Sequence, residues 1–131
     1  MQAATSAVPV SKGALWTGRV LSALAVLVFV GGGIFTLINA AKIAPQMAHY
    51  GFNEGHLTLI AWLEIVCGIV YMIPRTAVFG AVLLTGYLGG AVVTHIRAGE
   101  PPIAPLVVAA VVWLGIYLRE PRLHAIAPLR K

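Results

Sequence analysis

Four apolar stretches, set apart by short breaks carrying glycine, proline or charge, organise the chain. They occupy about 18–41, 57–74, 76–95 and 102–118. The first is uncharged from Val20 to Ala41, the second carries a single charge, Glu64, and the third is uncharged from Thr76 to Thr94. The fourth opens on Pro101, Pro102 and Pro105, which suits an entry turn, where a missing N–H costs little. Each stretch approaches the about 20 apolar residues a helix needs to cross hydrocarbon, where backbone polar groups must be satisfied within the segment. The expected fold is all-α, an integral membrane four-helix bundle of antiparallel spans over 15–120. A disordered extension over 1–14 precedes it and a basic tail over 121–131 succeeds it. A secretory signal is the competing reading of the first stretch, with Lys12 and Arg19 as its basic region and Ile38-Asn39-Ala40 as a loose cleavage site. That run exceeds the usual signal core of about 7–15 residues, and three more spans come after it.

Composition narrows the class. Apolar residues make up 60% of the 131, and charged residues 10%. Too few polar groups remain to cover a soluble domain, so a soluble enzyme, a disordered tail and a nucleic-acid module are set aside. The formal charge of +5 then reads as loops facing anionic lipid. Lys12, Arg19, Arg75, Arg119, Arg122, Arg130 and Lys131 fall on one side of the expected spans, and Lys42 and Arg97 on the other. The excess of basic residues marks the first side as cytoplasmic, with both termini there and residues 42–56 as an outer loop. The tail from Arg119 is expected to lie along the cytoplasmic headgroups. Cys67 is the sole cysteine, which excludes an intrachain disulfide.

Function in so apolar a chain is sought among its polar intramembrane residues. Glu64 lies roughly 10–12 Å below the outer boundary by helical rise. A carboxyl at that depth is tolerated facing the bundle or a wet cavity. It reads as a ligand anchor, a proton-transfer group or a redox-linked acid, or else as an interhelical clamp. Cys67, Gly68 and Tyr71 share its face at +3, +4 and +7. Cys67 itself reads as a packing residue rather than a nucleophile. Tyr87 of the third span falls at the same depth, with Thr94 above it on one face and His95 and Arg97 at the outer mouth. Gly86 and Gly90, with Gly89 beside them, read as a close-approach face. In the first span Gly32, Phe35, Asn39 and Lys42 form one stripe reaching the outer boundary. Lys42 alone would be read as snorkelling. Trp113 and Tyr117 line the bundle or join the aromatic belt, the belt being favoured for Tyr117.

Other chemistries lack their residues. There is no Asp, no C-x-x-C and no phosphate loop with its lysine, since Gly31-Gly32-Gly33 lies inside a span. His49, Glu54 and His56 match no metal-site spacing, so no metal is expected and a solvated loop is preferred.

The order of Lys42, Leu63-Glu64, Ile73-Pro74-Arg75, Gly86-Tyr87-Leu88-Gly89-Gly90-Ala91 and Thr94-His95-Ile96-Arg97 resembles the DoxX-like family of small four-helix bacterial membrane proteins. So does the ending from Trp113-Leu114-Gly115 through Arg119-Glu120-Pro121-Arg122-Leu123 to Pro128-Leu129-Arg130. The resemblance covers roughly Val20 to Arg130. It implies a multi-pass protein of the bacterial inner membrane, among relatives that look like quinone-linked oxidase subunits, partners in membrane oxidoreductase complexes, or maturation and trafficking helpers. Two functions are then in view. One is an oxidoreductase accessory holding a quinone-like lipophilic ligand among spans one to three. Glu64 and Tyr87 would meet its polar head, Asn39, Lys42, Thr94, His95 and Arg97 would line the entrance, and Phe35 and Tyr71 would pack on ring or tail. The other is a non-catalytic chaperone, assembly factor or interaction subunit. No cofactor is evident within the chain itself. A membrane partner or a second copy is expected, and nucleic acid is not. Small-solute transport is weakened by the lack of paired repeats.

Overall fold

Serine starts the first helix, about two turns earlier than the apolar run suggests. In the computed structural model, which describes residues 10–126, Ser11 accepts a hydrogen bond from the Ala14 amide at 3.2 Å and caps α1, Lys12–Val26. The helix therefore begins inside the stretch expected to be disordered, of which residues 1–9 lie outside the described residues. It passes through one π-helical turn, Leu27–Gly31, directly into α2, Gly32–Met47.

Residues 42–56 are not the expected outer loop. Helix persists through Pro45 to Met47 and closes in a 3-10 turn, Ala48–Tyr50. Ala40, Ala41, Lys42 and Ala44 are good helix formers, and their propensity carries the helix on. The proline is accommodated by a break at Asn39 (φ −111°, ψ 15°), whose side chain donates to the Phe35 carbonyl at 2.9 Å. Gly51, at φ +84°, is the true stop, because that left-handed backbone suits glycine alone at no steric cost. The run Lys12–Tyr50 counts 39 residues. Straight, it would reach about 58 Å, near twice the hydrocarbon thickness. The part beyond the kink instead lies over one end of the bundle, called here the loop end; the termini mark the opposite, terminal end.

Asn53 and His56 form a capping box that opens α3, Glu54–Met72. Its last carbonyls are met by side chains: Thr76 Oγ1 donates to Val70 at 2.8 Å and Arg119 Nη2 to Tyr71 at 2.8 Å. A cation there also suits the helix dipole. The turn Ile73–Thr76 leads to α4, Ala77–Arg97, which stops at Gly99 (φ +77°). Then α5, Ile103–Arg119, returns to the terminal end. Three helical runs are long and apolar enough to cross a membrane, and α5 is a shorter apolar helix. Among the described residues there is no strand, so the all-α bundle holds as expected.

Helices α1 and α5, α2 and α3, α3 and α4, and α4 and α5 pack in pairs. Phe29, Tyr71, Leu84, Val112 and Ile116 are buried between them, whereas Leu27, Ile38, Leu59, Phe79, Val93 and Ile103 face outward. Apolar surface on every side is what a bilayer requires and water penalises. Near the terminal end Tyr71 is fully buried, donating to the Val112 carbonyl at 2.7 Å with Ser22 Oγ at 3.2 Å. Gly115 makes this possible: a Cβ there would sit 2.8 Å from Ser22 Oγ and 3.1 Å from the Tyr71 hydroxyl. Trp113 donates to Thr85 Oγ1 at 2.7 Å, tying α5 to α4. Pro121–Ala125 forms a 3-10 turn that buries Leu123 and stacks His124 on Tyr117, with centroids 4.1 Å apart. The end of the expected basic tail, 127–131, lies outside the described residues.

Candidate functional site

One acid and one phenol meet inside the bundle. The Tyr87 hydroxyl of α4 donates to Glu64 Oε1 of α3 at 2.5 Å. The short turn at Pro74-Arg75 makes α3 and α4 antiparallel neighbours, and equal depth from the loop end brings the two residues level. Phe29, on the π-helical turn, packs edge-on against the Tyr87 ring, with centroids 5.8 Å apart and planes at 84°. Cys67, Gly68 and Tyr71 are buried on the same face of α3 as Glu64, following the helical period.

Above the pair, toward the loop end, lies a cavity of about 500 Å³. Leu57, Ile60, Leu63 and Glu64 of α3 form one wall, and Tyr87, Gly90, Ala91, Thr94 and His95 of α4 another. Thr36 of α2 faces them, and Met47, Tyr50 and Phe52 cover the top. The walls are mostly apolar, with a few polar groups at defined places. The Thr94 hydroxyl donates to the Gly90 carbonyl at 2.8 Å, leaving its oxygen as an acceptor. His95 Nδ1 lies 2.8 Å from the Ala91 carbonyl. A carbonyl only accepts, so Nδ1 donates that bond and Nε2 is left for another partner. Glu64 keeps its second oxygen for another partner. The arrangement can hold the hydroxyl or carbonyl of an apolar molecule at the acid–phenol pair and can pass a proton there.

Of the residues singled out from the sequence, Glu64, Tyr87, Thr94 and His95 come together on this cavity. Five do not line it. Arg97 borders a smaller adjoining recess of about 260 Å³ with His49, Tyr50, Phe52 and Thr94. Tyr71 serves the buried Ser22–Val112 network nearer the terminal end. Phe35 points outward at 62% exposure, Lys42 is exposed, and the Asn39 amide is spent on the kink. The physical reason for the α2 misses is a rotation of one residue. Its inward stripe is Gly33, Thr36 and Ala40, not Gly32, Phe35 and Asn39. One residue is about 100° of helix, enough to turn Phe35 outward. Gly33 marks the true face, since a Cβ there would lie 2.7 Å from Ile65 and 2.8 Å from the Ala61 carbonyl.

The covering residues Met47, Tyr50 and Phe52 lie in the stretch that the sequence presents as a solvated loop. Their signal is present in it: three large apolar side chains within six residues need a surface to pack on. Nor do His49, Glu54 and His56 form a metal set. His56 belongs to the α3 cap, and His49 bonds Glu100 across the mouth. Among the described residues no three His, Cys, Asp or Glu side chains converge as metal ligands.

The model of the DoxX-like family matches residues 20–115. No curated protein and no solved structure matches the chain.

Proposed function

The chain belongs to the DoxX-like family, and we propose that it binds a quinone-like lipophilic molecule in the cavity above Glu64 and Tyr87, as an accessory or subunit of a membrane oxidoreductase system. The observation that carries this reading is the joining of the Glu64–Tyr87 pair to an apolar cavity of about 500 Å³. Ligand sites for small apolar molecules pair such walls with a few placed polar groups. A quinone, when bound, supplies the electron chemistry. The chain's residues would orient it: Tyr87 and Glu64 would hold a ring oxygen and give or take the proton that accompanies its reduction or oxidation, and His95 and Thr94 would offer hydrogen-bonding groups nearer the loop end. The bacterial inner membrane, with both termini cytoplasmic, is the setting that the basic-residue asymmetry supports.

Organic extraction of protein purified in mild detergent tests the reading. A redox-active quinone near one per chain is expected, depleted in Glu64→Gln. Phospholipid alone in both extracts overturns it.

A second reading, a non-catalytic assembly or interaction subunit, is favoured by one feature. Gly86, Gly89 and Gly90 of α4 are exposed, and a Cβ at any of them would meet nothing within 4 Å. Unpacked glycines on a spanning helix suit the close approach of a partner's helix or of a second copy.

A further inference from the structure

The segment covering the cavity is tied down at a single carboxylate. Glu100 lies in the connection between α4 and α5, across the mouth from residues 47–52. Its Oε2 accepts the Tyr50 hydroxyl, and its Oε1 lies 3.2 Å from His49 Nε2. Two consecutive residues of the covering segment thus converge on one side chain. The Tyr50 ring lies against both His49 and His95, tilted to each, at centroid distances of 3.8 and 5.6 Å. Glu100 is itself well placed to hold them. Gly99 ends α4 in the left-handed conformation, the Glu100 amide donates to the His95 carbonyl at 2.9 Å, and Pro101 and Pro102 stiffen the connection into α5.

We propose that Glu100 is a positioning residue for the ligand site: by holding Tyr50 and His49 it keeps the 47–52 segment over the cavity and closes its loop end to water. The Tyr50 hydroxyl, seconded by His49 and His95, holds the Glu100 carboxyl below its usual range, as expected where the bound form is the anion. With the top closed, the way in lies on the lipid side. Helices α2 and α4 do not pack on each other, and Gly90, on the α4 wall of the cavity, has no side chain to close that side. A molecule dissolved in the bilayer can enter there without passing through water. The inference rests on the cavity being the ligand site, but closure can be measured with no ligand present.

In a Cys67→Ala background, Thr94→Cys places a thiol on the cavity wall. Its rate of modification by a sulfonate-bearing methanethiosulfonate, in protein reconstituted in nanodiscs, reports water access at the loop end. Slow modification is expected in the parent, at least about tenfold faster modification in Glu100→Ala, and a smaller increase in Tyr50→Phe. Glu100→Gln keeps an acceptor for the tyrosine and should stay within about threefold of the parent. If Glu100→Ala, made separately in the chain that keeps Cys67 and Thr94, renders the buried Cys67 reactive, it has loosened the bundle, and Tyr50→Phe, which deletes one hydroxyl, decides. Equal rates in the parent and in the deciding variant overturn the role of Glu100. Because no quinone is used, that result leaves the ligand assignment to the extraction experiment.

Discussion

Glu64→Gln separates a ligand-binding acid from a structural clamp, because the glutamine carbonyl can still accept from Tyr87. The parent bond measures 2.5 Å and joins α3 to α4 in the middle of the bundle. Interhelical side-chain bonds in membranes average about 0.6 kcal/mol, so Glu64→Gln should change stability by less than about 1 kcal/mol. Tyr87→Phe is harsher on the fold, since the carboxyl loses its donor, at about 1–3 kcal/mol. Ligand affinity should run in the opposite order. Losing an ionisable partner at the ligand's polar atom removes about 1.5–3 kcal/mol, or about 10–150-fold in Kd. Titration calorimetry with a short-chain quinone in mild detergent measures the second quantity, and thermal unfolding of the same samples the first. The reasoning is refuted if Glu64→Gln binds within about threefold of the parent yet unfolds as readily as Tyr87→Phe. Glu64 is then a clamp.

Three further outcomes are expected. Gly115→Ala should destabilise the bundle by at least about 1–3 kcal/mol in unfolding assays, because its Cβ would lie 2.8 Å from Ser22 Oγ and 3.0 Å from the Ser22 amide; unchanged stability contradicts the packing at the terminal end. Closure of the loop end should be insensitive to pH down to the ordinary Glu100 value of 4.5 and be lost only below it. The sign comes from a carboxyl lowered in the closed arrangement: its contribution is present above the ordinary value and disappears as pH falls through the lowered one. Tyr50, His49 and His95 face that carboxyl, and a proton gained by either histidine strengthens its attraction for the anion, so thiol accessibility at position 94 that rises already at pH 6 would contradict the hold at Glu100. Tags at either terminus should resist external protease in intact cells, and cleavage of either reverses the orientation.

The spans and the Glu64–Tyr87 pair were legible because both depend on regular helix. Depth counted at a fixed rise, and the presumption that a carboxyl avoids lipid, are enough to bring two residues of an antiparallel hairpin together. What failed lies in α2, where regularity fails. A π-helical turn at Leu27–Gly31 and a break at Asn39 alter the path of the helix, and no local residue pattern announces a π turn. The inward face there is decided by Gly33 against α3, a tertiary contact, so the polar stripe through Asn39 and Lys42 misled. The expected loop over 42–56 misled in the other direction, because the alanines around Pro45 carry the helix on to the cavity roof. Tyr71 shows a subtler limit. Its inward phase was correct, but seven residues along a helix is about 10 Å of depth, enough to place it in a separate network.

Photo-crosslinking with a photoactivatable short-chain quinone, combined with peptide mapping, tests most directly whether the cavity above Glu64 and Tyr87 is the ligand site. Labelling should concentrate on the cavity-lining residues around Thr36, between Met47 and Glu64, and between Tyr87 and His95, and it should fall when unlabelled quinone competes or when Glu64 is replaced by Gln. Labels spread over the outward-facing residues such as Phe35, Phe79 and Val93, with no competition, would contradict the assignment.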